Sequence, residues 1–235
     1  MISAAFYYRE VWNAKYLMKI PKQKLILNLI RKADKYDKNN LSKTKNSMGL
    51  DFGFPARITR HDKHEIAQRM ERLKRKFKLV LVMEKFDESL ILLKRTMNWD
   101  ISDVMYLPTN SHEHQKMKLA ERDVAKFRAT NYLDYIIYDT FNGILDDKIK
   151  EGGQDFQDEV MYFKKVLQFA KRFCDKGSTN SKEVLKIAAS KWNKPFDFPY
   201  TECIYIKMSE LDFVERLKVR HLKMHNLSRS FIRKV

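Results

Sequence analysis

The chain has 235 residues, enough for one domain with a substantial core, and its 47 Lys and Arg against 30 Asp and Glu give a formal net charge of +17. That balance favours anionic partners such as nucleotide phosphates, nucleic acid or an acidic membrane surface. Only six Gly and five Pro argue against a loop-rich or low-complexity chain, and no run of about twenty apolar residues is present to span a bilayer.

In chain order the pattern is mostly helical. Residues 4 to 18 read as an aromatic-rich helix, whose Arg9, Glu10 and Lys15 argue against an uncleaved signal peptide of ordinary type. Pro21 opens a second helix with Leu25, Leu27, Leu29 and Ile30 available to bury. Residues 34 to 48, rich in Lys and Asn, read as an exposed loop. Asp62 is placed to cap a helix whose Ile66, Met70, Leu73 and Phe77 form one apolar stripe. Leu79 to Met83 is then a short continuous apolar run of the kind a buried parallel strand shows. Glu84 closes it, Asp87 is placed to N-cap the next helix with Glu88 and Ser89 in its first turn, and Leu90, Leu93 and Met97 recur at helical spacing.

A second strand is expected from Val104 to Leu107, stopped by Pro108, with a polar surface loop over 109 to 119. Leu133, Ile137, Phe141 and Ile144 mark one long helix, and Gly152-Gly153 separate it from another marked by Phe156, Val160, Phe163, Leu167 and Ala170. Residues 176 to 200, with Pro195 and Pro199, read as irregular, and after Ile204-Tyr-Ile206 a basic helix from about Ser209 finishes the chain. No internal repeat is visible and no linker divides the chain, so a single domain over residues 1–235 is expected.

Ligand sites of open α/β sheets gather at the carboxyl ends of strands, which makes the strand–helix junction with Glu84, Asp87 and Glu88 a candidate site. The plainer alternative is that Asp87 caps a helix and Glu84 pairs with a nearby Lys. Other motifs carry less. Asp51-Phe-Gly53 spells the magnesium-binding triplet of protein kinases, but no Gly-rich loop, strand lysine or His-Arg-Asp catalytic loop accompanies it. His112 and His114 beside Glu113, and the pair His61 and His64, lack further ligands at metal-binding spacing, so no metal is expected. Cys174 and Cys203 fit either free thiols or one bridge, and Asn40-Leu-Ser42 and Asn226-Leu-Ser228 are acceptor triplets for glycosylation.

The wording of the junction goes further than its periodicity. Val82-Met-Glu-Lys-Phe-Asp-Glu-Ser-Leu-Ile-Leu-Leu-Lys94, followed by Asn98-Trp99 and Asp103-Val-Met-Tyr-Leu107, closely resembles the galactose-3-O-sulfotransferase family, the galactosylceramide sulfotransferase-like enzymes. Ser3 to Trp12 is similar to the family's Ser-x-x-x-Tyr-Tyr helix, and Gly49-Leu-Asp-Phe-Gly-Phe54 to its Phe-Asp-Leu-Gly segment. Asn131-Tyr-Leu-Asp-Tyr-Ile-Ile-Tyr-Asp-Thr-Phe-Asn142 is similar to its Leu-Asp-x-x-hydrophobic-Tyr-x-x-Phe-Asn helix. The resemblance runs from residue 1 to about residue 175.

The resemblance implies an α/β fold of the P-loop-NTPase-like sulfotransferase type, mainly helical in this chain because the first strands and the donor loop are missing. It implies transfer of a sulfuryl group from 3′-phosphoadenosine 5′-phosphosulfate to the 3-hydroxyl of a terminal galactose on a glycolipid or glycoprotein. Ser3 matches the family's Ser that binds the 3′-phosphate of the donor, whereas the Lys/Ser/Thr-rich donor loop and an Arg-x-Pro would lie upstream of Met1. No Gly-rich or Lys-Ser/Thr phosphate cradle is visible after any expected strand. A C-terminal part of the catalytic domain, inactive by itself and with its catalytic residues upstream of Met1, is therefore expected. Glu84, Asp87 and Glu88 would then orient galactose hydroxyls beside an aromatic face, Phe86 or Trp99. The family also implies a lumenal Golgi location, membrane association through an N-terminal anchor, and a Cys174–Cys203 bridge.

Two readings from other classes stand beside this one. A basic helical nucleic-acid-binding module draws on the net charge and on Arg216-Leu-Lys-Val-Arg-His-Leu-Lys-Met-His225, and is not favoured. A non-catalytic scaffold that keeps part of the fold is the other.

Overall fold

A computed structural model of the chain describes residues 9, 15–32, 35, 45–108, 118–177 and 182–225. The expected Ser3 contact, most of the first helix, the 109–117 loop with His112 and His114, and both Asn-Leu-Ser triplets lie outside the described residues. Along the chain come α1 (Lys15–Met18), a 3₁₀ turn (Lys22–Lys24) running into α2 (Leu25–Arg31), α3 (Ser47–Asp51) and α4 (Lys63–Lys76). A 3₁₀ turn (Met83–Lys85) leads into α5 (Phe86–Met97), and another (Ile101–Val104) follows. Then come α6 (Glu121–Thr130), α7 (Tyr132–Glu151), α8 (Gly153–Asp175), β1 (Val184–Ile187), β2 (Phe196–Pro199), α9 (Tyr200–Ile206) and α10 (Glu210–Met224). The fold is thus mostly helical with a small two-stranded sheet among the described residues.

The described residues of Met1–Val82 and His114–Lys148 form one compact unit, and those of Met83–Glu113 and Ile149–Val235 form a second. In the first, α4 buries Ile66, Met70 and Leu73 as its spacing predicts, against Phe54, Ile58 and the Leu133, Ile137 and Phe141 face of α7. Phe77 closes this cluster edge-on to Phe52 and Phe141 rather than by burial. The start of α7 is stitched to α3. The Gly49 amide donates to Asp134 Oδ1 at 2.9 Å, and the Asn46 amide donates to Asn131 Oδ1 at 3.0 Å. Burial raises the Asp134 carboxyl above its ordinary range, against the lowering effect of the Gly49 and Met48 amides. A Cβ at Gly49 would stand 2.4 Å from the Leu133 side chain, so the close approach needs glycine there. A separate cluster gathers Leu17, Ile20, Leu25, Ile26, Leu29 and Ile30, with Arg31 bidentate to Asp123 at 2.8 and 2.7 Å. Ile26 takes the buried place expected of Leu27, which is half-buried.

In the second unit, Leu90, Ile91, Ile101, Val104, Phe156, Val160, Phe163, Val166 and Ile187 make the core. Phe156 and Phe163 are fully buried, each contributing about 1.5–3 kcal/mol of transfer free energy. Gly153, at φ +62°, turns the chain from α7 into α8. Cys174 and Cys203 form a disulfide between α8 and α9, beside Leu107, Ala170 and Phe198. Closing its 29-residue separation limits the unfolded chain by about 3–4 kcal/mol in the loop-entropy picture.

Three local expectations differ from the structure. Residues 79–82 belong to no helix and pair with no strand among the described residues, and Leu81 and Met83 are exposed. An apolar run suits a strand, but only a partner ladder makes one, and periodicity does not reveal the partner. Val104 to Leu107 is likewise not a strand. Asp100 and Asp103 cap each other reciprocally and wind Ile101–Val104 into a 3₁₀ turn that ends at an extended Met105. Conversely, the stretch expected to be irregular holds the antiparallel pair β1–β2, in register Leu185 with Phe198 and Ile187 with Phe196. Pro199 is tolerated because it ends β2 and starts α9.

Candidate functional site

The junction expected to hold the site lies at the start of α5. The 3₁₀ turn of Met83–Lys85 feeds directly into the helix, so Lys85 occupies the N-cap and Asp87 and Glu88 fall in the first turn. Asp87 therefore does not cap α5, contrary to expectation. Its Oδ1 accepts from the Tyr106 hydroxyl at 2.8 Å instead. Both acids still suit the positive end of the helix dipole. The buried face of α5 centres on Ser89, Leu90, Ile91 and Lys94, while Leu93 is half-buried and Met97 is exposed. Asn98, at φ +54°, ends the helix in the left-handed conformation, with the Trp99 amide donating back to the Lys94 carbonyl at 3.0 Å.

Of the three carboxylates, the structure brings two together. Lys164 on α8 reaches Glu88 Oε1 at 3.2 Å and Asp87 Oδ2 at 3.6 Å. Tyr106 packs edge-on to Phe86 at 4.9 Å, and burial, then the Asp87 carboxylate, push its phenol well above its ordinary range. Tyr106 is thus a fixed neutral donor at physiological pH. Glu84 stands apart in the 3₁₀ turn, exposed and without a partner among the described residues. Its carboxylate is open to accept from a hydroxyl or to take its proton. Of the two expected aromatics, Phe86 lies at the junction, packed on Tyr106, and Trp99 sits beyond the far end of a twelve-residue helix, roughly 18 Å along it at 1.5 Å per residue.

Sequence reasoning missed Tyr106 and Lys164, although Tyr106 stands in the Asp-Val-x-Tyr part of the quoted phrase. It also missed a second charged group two turns along α5. Glu159 of α8, 1% exposed, accepts from Lys94 Nζ at 2.8 Å and from Arg95 Nε at 2.6 Å. Arg95 also reaches Asp155 Oδ2 at 2.7 Å, and Asp155 Oδ1 accepts from the Trp192 indole at 3.2 Å and pairs with Lys191. Hydrogen bonds from Lys191, Trp192 and Arg95 hold the Asp155 carboxyl down to about 2. The loop before β2 presents Trp192 because Asn193 donates to the Ala188 and Lys194 carbonyls, at 3.2 and 2.7 Å. Every charged side chain in this group has an oppositely charged partner, so it is a lock between α5, α8 and the loop. Among the described residues no three His, Cys, Asp or Glu side chains gather as a metal site, and no helix is long and apolar enough to cross a membrane.

Three of the segments that resemble one family fall among the described residues. Gly49–Phe54 meets the start of α7 through Gly49 and Asp134, and the two halves of the junction phrase meet through Asp87 and Tyr106. Known proteins give the same direction. The chain is 33% identical over 102 residues to galactose-3-O-sulfotransferase 2 of Homo sapiens, a match covering 43% of this chain and 25% of that protein. It is 37% identical over 101 residues to galactose-3-O-sulfotransferase 3 of Homo sapiens, covering 41% and 23%. It is 30% identical over 120 residues to galactosylceramide sulfotransferase of Mus musculus, covering 50% and 28%. The chain therefore spans about a quarter of the length of the curated relatives it matches. No solved structure matches it. The galactose-3-O-sulfotransferase family model matches residues 1–202, past the quoted phrases, which end by about residue 175, and through β1, β2 and the start of α9, and the chain belongs to that family.

Proposed function

We propose that this chain is part of the catalytic domain of a carbohydrate sulfotransferase, moving a sulfuryl group from 3′-phosphoadenosine 5′-phosphosulfate to the 3-hydroxyl of a terminal galactose on a glycolipid such as galactosylceramide or on a glycoprotein. The family match over residues 1–202 carries this reading. Such a transfer needs an in-line hydroxyl nucleophile, a base for its proton and positive groups on the leaving phosphate. We assign the acceptor side to the α5 junction, with Glu84 as the carboxylate that receives a galactose hydroxyl. Asp87 and Glu88, engaged by Tyr106 and Lys164, shape the turn that holds it. Ser3 serves the donor's 3′-phosphate, and the loop cradling the 5′-phosphosulfate comes from sequence beyond this chain. A lumenal Golgi location accords with the Cys174–Cys203 bridge, since disulfides persist in oxidising compartments.

The test is a longer chain that includes an upstream donor loop, assayed with the labelled donor and galactose-terminated acceptors. Transfer to the galactose 3-position is expected. Glu84→Gln should lower turnover or acceptor affinity with an unchanged melting temperature, because the side chain holds nothing in place. Full activity in Glu84→Gln would leave the junction as architecture. Absence of sulfate transfer to any β-galactoside would overturn the reading as a whole. The 235-residue chain by itself should bind adenosine 3′,5′-bisphosphate weakly or not at all in calorimetry.

A further inference from the structure

The helix α10 is set apart by what it leaves uncovered. Ser209 caps it, with its hydroxyl accepting from the Asp212 amide at 3.2 Å, so the helix is well begun. Yet Leu222 is its one buried residue among those described. Phe213, Leu217 and Met224 are 42%, 48% and 63% exposed, and Val214 is exposed with them. At 3.6 residues per turn these four fall within a sector of roughly 100°, well away from the Leu222 side. The stripe continues into a groove of about 750 Å³ between α9 and α10, lined by Tyr205, Ile206, Met208, Phe213 and Leu217, with the acids Glu202 and Glu210 and the bases Arg216 and Arg220 also on its walls.

Charge decides what fits this stripe. The acids Glu210, Asp212 and Glu215 all lie in the first two turns, and from Arg216 to Met224 the ionised side chains are only basic. Arg216 and Arg220 border the stripe on one edge and Lys218 on the other, and Arg216 is held over the Tyr205 ring at 5.0 Å. A phosphate backbone alone would use the cations but has no use for exposed Phe213, Leu217 and Met224. A second copy packed parallel would bring the two sets of cations face to face, and only an antiparallel copy, readable as a dimer in ultracentrifugation, would set the acids of the first two turns against them. A surface that offers acyl chains below a layer of negative headgroups satisfies both features at once.

We propose that α10 lies on an anionic lipid surface, with Phe213, Leu217 and Met224 entering the acyl boundary and the flanking arginines and lysines meeting the headgroups. The proposal does not depend on the sulfuryl-transfer reading.

The experiment is cosedimentation of the 235-residue chain with vesicles of phosphatidylcholine alone and of phosphatidylcholine mixed with phosphatidylserine. Binding to the mixed vesicles and little to the neutral ones is expected. Phe213→Ser with Leu217→Ser should lower partition onto mixed vesicles roughly tenfold or more, as lost apolar insertion requires, at unchanged helical circular dichroism and melting temperature. Arg220→Gln with Lys223→Gln should also lower it roughly tenfold, since each cation near an anionic bilayer adds to affinity, and should bring it toward the neutral-vesicle level. No binding by the parent chain to mixed vesicles overturns the proposal. So does equal binding by the Phe213→Ser, Leu217→Ser variant, particularly if duplex DNA binds both proteins alike. A dimer in analytical ultracentrifugation that the same variant dissolves, without vesicle binding, would assign the stripe to a second copy instead.

Discussion

The contact between α5 and α8 has two charged ends built from the same residue types in different surroundings. At one end Asp87 and Glu88 meet Lys164, which is 45% exposed, at 3.6 and 3.2 Å. At the other end Lys94 and Arg95 meet Glu159, almost fully buried, at 2.8 and 2.6 Å. The order of pairs, 88 with 164 and 94 with 159, makes the helices antiparallel. Each of these helices carries acids near its N-terminus and α5 carries bases near its C-terminus, as the helix dipole favours. Antiparallel packing then sets the bases of α5 against the acids of α8. Solvent divides the two ends: the exposed one is screened, while the buried one must stay matched.

The largest effect is expected where that match is broken. Glu159→Ala should cost about 3–5 kcal/mol in urea denaturation, because Lys94 and Arg95 lose their buried partner. Lys94→Met combined with Glu159→Leu should recover most of the loss. A cost below about 1 kcal/mol for Glu159→Ala would put the buried end in the same class as surface bridges. The exposed end should respond less. Tyr106→Phe should cost about 1.5–3 kcal/mol, for one hydrogen bond to a charged acceptor, and Lys164→Ala less than about 1 kcal/mol. A Lys164→Ala protein as destabilised as Glu159→Ala would erase the distinction between the ends.

The effect of pH is smaller still near neutrality. Asp155 is held down to about 2 by Lys191, Trp192 and Arg95, below its unfolded value of about 4. A depressed carboxyl stabilises the fold above its unfolded pKa and loses that contribution as pH falls through the folded one. Stability should therefore decline between about pH 4 and about pH 2 and gain nothing from Asp155 above that window. Carboxyl NMR titration should place the Asp155 midpoint near 2, and Asp155→Asn should flatten the decline. A midpoint at the ordinary carboxylate value would show that the Lys191 and Trp192 contacts do not persist in solution.

How far the sequence reached differs from place to place. The stripes of α4, α7 and α8 were legible because Ile66, Met70 and Leu73, or Phe156, Val160 and Phe163, repeat at helical spacing and bury as they repeat. Ser209 was legible as a helix start for the same local reason. Asp87 was misread because Asp before an apolar run is a capping signal, and only the fold brings Tyr106, 19 residues on, within 2.8 Å of it. The β1–β2 pair was hidden by Pro195 and Pro199, which local rules count against strands.

By itself the sequence determined the family, through ordered phrases whose wording does not depend on their contacts, along with the helical periods, the basic character and the chain's two cysteines. Only the tertiary structure decided which charges are matched. It joined Glu159 to Lys94 and Arg95, Lys164 to Glu88, and Cys174 to Cys203, and it left Glu84 and the α10 stripe open. The physical reason is range. Helical spacing and caps act within a few residues, while the value of a charge or an apolar side chain is set by neighbours that chain folding brings from 29 to 76 residues away.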